Sequence, residues 1–326
     1  MKKFLTGIVV IVAMLATGFI YWADQPIIKS DREAIAFAVS AGSGVRGAAQ
    51  QVAQAGAPVQ PLLLEALARL TGKSGKIKAG AYELEPGTSP RRLVEQLVRG
   101  EFAQHALVVI EGWTFRQMRQ AVADNAALKH DTVAMSDAEL LARVAPNYQQ
   151  PEGLFFPDTY LFAKGASDLQ IYRRAHVLMQ KKLDDSWASR AAGLPYKTPY
   201  EALVMASIVE KETGQKAERD MIAGVFVNRL RQGMMLQTDP TVIYGMGERF
   251  RGNIRKRDLQ TDTPYNTYTR AGLPPTPIAL PGAAALAAAL NPARTEALYF
   301  VARGDGTSHF SGSLNEHNQA VNKYQR

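Results

Sequence analysis

The stretch TPYEALVMASIVEKETG, residues Thr198–Gly214, places two acids at the end of an apolar helix. Its threonine is a suitable N-cap, the proline that follows suits the first helical position, and the final glycine is a typical stop. Residues 202–209 are apolar nearly all round, which predicts a buried helix. Glu210 and Glu212 therefore emerge in the last turn of a core helix.

Burial and the negative end of the helix dipole both favour the protonated form of a carboxyl group there. A carboxylic acid that is protonated near neutral pH is what general-acid cleavage of a glycosidic bond requires. Glu212 points about 160° away from Glu210 around the helix, which favours an ion pair for it. The alternative is that both glutamates are solvated, and the helix alone favours that interpretation because perturbed sites are the minority.

Composition limits the classes of protein that fit. The 326 residues, 46% hydrophobic and 21% charged, predict a globular protein of about two domains. The absence of cysteine excludes disulfides and a thiol nucleophile. A net charge of +8 suggests an anionic partner. The sequence has no long basic run with interleaved aromatics, the pattern that would indicate nucleic-acid binding.

The N-terminus reads as a membrane anchor. Two lysines in residues 1–3 precede an uncharged run at 4–22, which as a helix spans about 28 Å. The lysines predict a cytoplasmic N-terminus, with the rest of the chain outside the cytoplasm. A cleaved signal peptide is the alternative, but the run ends in bulky residues rather than small ones, which favours an uncleaved anchor.

A linker at 23–33 leads to a small unit at 34–104. Its predicted order is strand, two helices, strand and a closing helix, with strands at 34–39 and 80–84 and helices after 47, at 61–70 and from 89 to 100. Residues 42–47 match G-x-G-x-x-G, but no complete βαβ unit follows, so we interpret the glycines as turn residues. The unit suits either a binding module or a spacer.

The remaining chain, 105–326, reads as mainly helical with short strands. Predicted helices include 168–190, 217–232 and 283–290, and predicted strands include 105–110 and 298–301. Residues 234–281 show little periodicity and many polar and aromatic residues. Long irregular segments inside a globular domain are usually binding loops.

Carboxylates are the groups best able to carry chemistry. No metal-ligand spacing occurs among the histidines and no G-x-S-x-G motif is present, which leaves Glu152, Asp158, Glu210, Glu212 and Asp239. Neighbouring side chains could stack on sugar rings or bind hydroxyl and acetamido groups: Tyr160, Tyr244, Tyr265, Tyr268, Gln237 and Asn266. Composition alone does not distinguish sugar binding from the alternative that the aromatic side chains only pack their loops.

ASIVEKE, residues 206–212, resembles the active-site helix of the endolytic murein transglycosylases, the MltG or YceG-like family. Further blocks resemble the family in the same order: 152–160, 223–230, 236–245, 265–268 with 272–278, and 298–301. Together they cover most of residues 105–310. Two departures are Leu280, where the family usually has asparagine, and the missing proline between Ile110 and Glu111.

The resemblance implies an α+β fold with a transmembrane helix, a LysM-like subdomain at 34–104 and a mainly helical, lysozyme-like catalytic domain at 105–326. It implies Glu210 as the catalytic acid and base, with no cofactor and no metal. A lytic reaction needs one carboxylate, whereas a hydrolase needs a second, for which Asp239 is the best candidate. The expected substrate-binding residues are Glu152, Tyr160, Ser207, Gln237, Asp239, Tyr244, Tyr265, Asn266 and Tyr268.

The expected function is lytic cleavage between MurNAc and GlcNAc within nascent peptidoglycan strands, which leaves 1,6-anhydro-MurNAc ends and terminates strand growth. The expected location is the inner membrane with the bulk of the chain periplasmic, and the expected partners are glycan strands and peptidoglycan synthases, not nucleic acid. Two alternatives stay open: a non-catalytic peptidoglycan-binding scaffold, and a hydrolytic muramidase.

Overall fold

A computed structural model describes residues 2–29, 34–102, 105–162 and 164–325. These residues are mainly helical, with short strands that pair in two-stranded sheets, as the α+β prediction requires. The chain divides into two compact units. The first is Met1–Ala106 with Ala127–Lys129 and Leu161–Ala166, and the second is Leu107–Ala126, His130–Tyr160 and Ser167–Arg326.

The first unit has the predicted order of elements: α1 (Lys2–Asp24), β1 (Ile35–Val39), α2 (Val45–Gln54), α3 (Pro61–Leu70), β2 (Gly80–Leu84) and α4 (Pro90–Arg99). Strands β1 and β2 pair antiparallel. Phe37 and Tyr82 stack across the pair and are buried with apolar residues of the three helices that follow β1. A glycine, Gly100, ends α4 in the left-handed conformation.

Helix α1 covers the segment expected to cross the membrane, residues 4–22. Its last turn belongs to the core of the first unit, where Ala23 is buried and Phe19 and Trp22 pack against it. In the part of the chain that the structure describes, no helix is both long enough and apolar enough to span a membrane.

The second unit is built around one buried helix. Its helices are α5 (Phe115–Ala123), α6 (Asp137–Val144), α7 (Asp168–Ala188), α8 (Pro199–Glu212), α9 (Arg219–Arg231), α10 (Asp239–Met246), α11 (Lys256–Gln260), α12 (Ala283–Leu290) and α13 (Leu314–Tyr324). Strand β5 (Tyr299–Ala302) pairs with β6 (Ser308–Ser311) in this unit. Strand β3 (His105–Val108) pairs with β4 (Thr159–Phe162), and the boundary of the second unit falls within both of these strands. Helix α8 packs against α7, α9, α10 and α12.

The predicted features of α8 are confirmed. The Thr198 hydroxyl accepts a hydrogen bond from the Glu201 amide, and proline occupies the first turn. Every residue from Ala202 to Val209 is buried, which is the expected consequence of an apolar surface on all sides. The helix ends at Glu212 and its C-cap is Thr213, one residue before the predicted glycine.

The segment 234–281, expected to be a long irregular segment, is partly helical. The segment contains α10 and α11, together with a 3-10 turn at Gly247–Arg249. These helices have eight and five residues, too few for a helical period to be read from the sequence. Strand β6 and helix α13 were likewise not predicted, although the capping box of Ser313 and Glu316 is a readable start signal for α13.

Candidate active site

Glu210 lies in the last turn of α8 with its side chain 8% exposed. Its Oε2 accepts a hydrogen bond of 2.9 Å from the Gly282 amide. Its Oε1 lies 3.6 Å from a guanidinium nitrogen of Arg219, whose side chain is 10% exposed. Oε1 accepts no hydrogen bond from the described residues, so it is the oxygen that can exchange a proton with a ligand.

The segment 278–282 connects Glu210 to the interior of the second unit. Ser207 and Glu210, three residues apart on one face of α8, each bind one amide of this segment. The Ser207 hydroxyl accepts from the Ile278 amide at 3.0 Å and donates to the Val204 carbonyl at 2.7 Å. Ser207 is fully buried, so it positions the segment that holds Glu210 and has no hydroxyl contact left for a substrate.

A turn at 110–113 lies against the same segment. The Gly112 amide donates to the Leu280 carbonyl at 2.9 Å, and the Leu280 amide donates to the Trp113 carbonyl. Lys211 extends from α8 to the Gly112 carbonyl at 3.3 Å. Leu280 makes these contacts through its backbone, so its departure from the family's usual asparagine leaves them intact.

Glu111 is a site residue that the sequence did not indicate. Its carboxyl group covers the α-carbon of Gly282, so that a Cβ added to Gly282 would overlap it. Glu210 binds the amide of Gly282, and Glu111 lies against the α-carbon of the same glycine. The carboxyl oxygens of Glu111 and Glu210 that face Gly282 are therefore at most about 8 Å apart. Glu111 is exposed and has no hydrogen-bond or ion-pair partner among the described residues. A glutamate before a loop glycine carries no signal that would have linked it to Glu210.

Glu152 is buried, and both of its oxygens are occupied. The Phe115 amide donates to Oε1 at 2.9 Å, and the Tyr244 hydroxyl donates to Oε2 at 3.1 Å. Burial raises the pKa of Glu152 to about 7, although the two hydrogen bonds oppose the shift. Tyr265 lies edge-on to Tyr244 and shares a hydrogen bond of 2.9 Å with Thr276. The structure therefore joins three predicted site residues in one network.

A third acid, Glu212, lies at the end of α8 beside α10. It accepts a short hydrogen bond from the Thr238 hydroxyl, and burial raises its pKa. The expected ion pair is wrong, because the described residues give Glu212 a hydroxyl partner and no basic partner within ion-pair distance. Asp239 lies next to this group and adds to the rise in pKa, while its own carboxylate accepts from the Tyr268 hydroxyl at 2.6 Å.

The remaining predicted site residues differ in what they can offer to a ligand. Asn266 is fully buried, its amide nitrogen donates to backbone carbonyls of Leu259 and Thr261, and its oxygen accepts from the Tyr268 amide. Tyr160 is buried and its hydroxyl donates to a backbone carbonyl. These two side chains stabilise loops in this structure.

Gln237 is exposed and has a φ of 52°, a left-handed conformation that is uncommon for a residue other than glycine. Backbone strain of this kind clusters at functional sites.

Among the described residues, no group of three or more acids or histidines is arranged to hold a metal ion.

Comparison with known proteins gives the family. The YceG-like family matches residues 37–323. The endolytic murein transglycosylase of Bacillus subtilis (strain 168) is 32% identical over 92% of this chain and 87% of its own length. That of Streptococcus pneumoniae (strain D39) is 26% identical over 98% of this chain and 65% of its own length. The chain therefore belongs to the YceG-like family.

A solved structure agrees with this assignment. The crystal structure of a yceG-like protein from Listeria monocytogenes matches 88% of this chain and 98% of its own, with a TM-score of 0.58 and 31% sequence identity. The resemblance inferred from residues 206–212 and the other sequence blocks is thereby confirmed at the level of the family.

Proposed function

We propose that this protein is an endolytic murein transglycosylase that cleaves the bond between MurNAc and GlcNAc within peptidoglycan strands. The names of the curated relatives support the activity and the substrate. The observation that carries the proposal is the Glu210 carboxyl group, whose Oε2 is fixed by the Gly282 amide while Oε1 accepts no hydrogen bond within the described ranges.

Glu210 acts twice in the proposed reaction. Oε1 first gives its proton to the oxygen that bridges MurNAc and GlcNAc, and the bond between that oxygen and C1 of MurNAc breaks. The resulting carboxylate then removes the proton from the C6 hydroxyl of the same MurNAc, and the C6 oxygen forms a bond to C1. The product is a 1,6-anhydro ring, and Glu210 regains its proton.

The neighbours of Glu210 have separate tasks in this proposal. The Gly282 amide keeps the carboxyl group in one orientation through both steps. The guanidinium of Arg219 stabilises the Glu210 carboxylate that exists after the first step and before the second. Glu111 places a second carboxylate near the sugar, where it stabilises the positive charge that develops at C1.

A hydrolytic muramidase is the second candidate, because the upper limit of about 8 Å between the Glu111 and Glu210 carboxyl oxygens is compatible with the separations of about 5–10 Å in two-carboxylate glycosidases. The two reactions leave different sugar ends. Asp239, the second carboxylate expected from the sequence, instead lies beside Glu212, which points to another side of α8.

The setting of the reaction is proposed on the sequence. Residues 4–22 support a single-pass anchor in the inner membrane, with the bulk of the chain periplasmic. The βααβ order of residues 35–84 supports a LysM-like subdomain. A tether close to newly made glycan suits the termination of strand growth, with peptidoglycan synthases as partners.

The full-length protein and its Glu210→Gln and Glu212→Gln variants test this function on purified peptidoglycan. The two substitutions make the same chemical change two residues apart on one helix, so the second controls for the first. We expect Glu210→Gln to lower the cleavage rate by at least about 10³-fold, because the amide can neither give nor take the proton.

Binding to the strands should persist in Glu210→Gln. Glu212→Gln should stay within about tenfold of the natural protein in rate, since Glu212 binds the Thr238 hydroxyl on another side of α8. Equal cleavage by the natural protein and Glu210→Gln, or binding with no cleavage by either, would indicate a scaffold and contradict the proposal.

A further inference from the structure

The segment from the 3-10 turn after α10 to the start of α11 is strongly basic. Residues 249–257, RFRGNIRKR, contain five basic residues and no acid. Arg249, Arg251, Arg255 and Arg257 line a surface cavity of about 350 Å³. This volume lies at the lower end of the range for small-ligand sites, about 300–1,000 Å³.

Asp258 is the one acid that lines this arginine cavity in the described part of the chain, so most of the positive charge there has no acidic partner. The recorded hydrogen bonds of the Arg249 and Arg251 side chains go to backbone carbonyls, at 3.5 and 3.1 Å. Neither they nor Arg255 form an ion pair with any described residue. Arg257 has one acid nearby, Asp258, at 3.7 Å. Unpaired guanidinium groups that face one cavity favour an anionic ligand.

A second feature of the cavity also indicates a ligand. The hydroxyl of Thr263 lines it and is buried without a hydrogen-bond partner. Buried polar atoms in proteins are nearly always paired, so an unpaired one needs an explanation. A ligand oxygen held by the arginines would give this hydroxyl an acceptor.

Helix α10 connects the cavity to the site around Glu152 and Asp239. Val242 and Met246, four residues apart, face the cavity, whereas Tyr244 faces Glu152 from the other side of the helix. The helix has eight residues and is about 12 Å long. The cavity and this site are therefore about one short helix apart, a distance that one extended polymer substrate can span.

We propose that the arginine cavity binds carboxylates of the peptide stems on the glycan strand. The inference rests on the proposed function, which makes peptidoglycan the substrate. Guanidinium groups match the two oxygens of a carboxylate with paired hydrogen bonds. The cavity thus selects strands that still carry their stems.

Binding is measured in full-length Glu210→Gln protein, so that strands are not cut. Into it we introduce Arg249→Gln, Arg251→Gln and Arg255→Gln together, or as a matched control Arg143→Gln, Arg173→Gln and Arg294→Gln. All six arginines are exposed, and both sets remove three positive charges. The ligands are glycan strands with intact stems and the same strands after an amidase has removed the stems.

We expect the Glu210→Gln protein and the control set to bind intact strands at least about tenfold more tightly than stripped strands. The cavity set should bring this ratio close to one while the affinity for stripped strands stays the same. A ratio that survives in the cavity set, or an equal loss of affinity for both strands, would overturn the proposal.

Two further results distinguish the stem-binding proposal from a phosphate site and from the proposed transglycosylase function. Inorganic phosphate is tested as a competitor at constant ionic strength. If phosphate occupies the cavity as effectively as intact stems do, the site belongs to phosphate and the stem assignment is overturned. If the natural protein fails to cut strands but the ratio falls as expected, the proposed function fails and the stem site stands.

Discussion

The surroundings of Glu210 and Glu152 differ in one decisive way. Each carboxyl group accepts one backbone amide, from Gly282 and Phe115 respectively. The second oxygen of Glu152 is taken by the Tyr244 hydroxyl. The second oxygen of Glu210 accepts no hydrogen bond from the described residues, and the Arg219 guanidinium lies 3.6 Å away from it.

The difference shows why burial alone does not identify a catalytic acid. Burial raises the pKa of Glu152 to about 7, a value suited to acid catalysis. Its oxygens, however, are both occupied by the protein, so its proton is not available to a ligand. Glu210 has one oxygen that accepts no hydrogen bond from the described residues, and a second acid, Glu111, lies against the same Gly282 that Glu210 binds. These features support the role of Glu210 in the reaction.

Removal of the charge on Glu111 tests whether the site around Glu210 depends on its charged neighbours. We expect Glu111→Gln to lower kcat by about 10- to 100-fold, because the positive charge at C1 loses its stabilisation. The defect relative to the natural protein should shrink as salt is added, since the charge is exposed.

Asp184→Asn, which removes an exposed acid on α7, is the matched control. A structural role of Glu111 would lower the melting temperature instead of kcat. An unchanged kcat in Glu111→Gln would mean that Glu210 works without a second carboxylate.

Substitution of Gly282 tests the contact between Gly282 and the Glu111 carboxyl group. Gly282→Ala retains the amide that binds Glu210, but its methyl group overlaps the Glu111 carboxyl and displaces it. We expect a loss of about tenfold in kcat/KM. The double variant with Glu111→Gln should be no slower than Glu111→Gln alone, because both changes remove the same contact. Losses that multiply would show that the two residues act independently.

The pH dependence of stability tests the account of Glu152. Its folded-state pKa of about 7 exceeds the usual 4.5, so the folded state binds more protons than the unfolded state between these values. The free energy of unfolding should therefore fall as pH rises from about 4.5 to about 7, by roughly 3 kcal/mol at most, and then level off.

Glu152→Gln should remove the part of this fall that Glu152 contributes, while Glu212, whose pKa is also raised by burial, keeps its own part. Urea unfolding of both proteins at pH 5 and pH 8 measures it, with cleavage assayed in parallel. The same pH dependence in the two proteins would contradict the proposed burial of a neutral carboxyl group.

Much of the fold could be predicted from the sequence because its signals are local. The threonine before α8, the proline at its first position, and the capping boxes at Thr114 and Ser136 each act within one turn of helix, and the apolar run of α8 is continuous in sequence. The importance of Glu210 was likewise readable, since the helix that carries it is continuous in sequence.

The surroundings of Glu210 could not be predicted, because they come from distant parts of the chain. Gly282 reaches Glu210 across 72 residues, and Glu111 reaches Gly282 only after the turn at 110–113 has packed on the segment 278–282. Ser207 and Asn266 were expected to bind substrate, but their polar atoms are paired inside the protein. Backbone pairing of this kind leaves no pattern in the sequence.

The most direct test of the central claim is mass spectrometry of the sugar ends that the natural protein leaves on peptidoglycan. A single carboxylate that gives and then takes a proton predicts 1,6-anhydro-MurNAc ends from the natural protein and none from Glu210→Gln. Reducing MurNAc ends would contradict this account, and would make Glu210 and Glu111 the two carboxylates of a hydrolase.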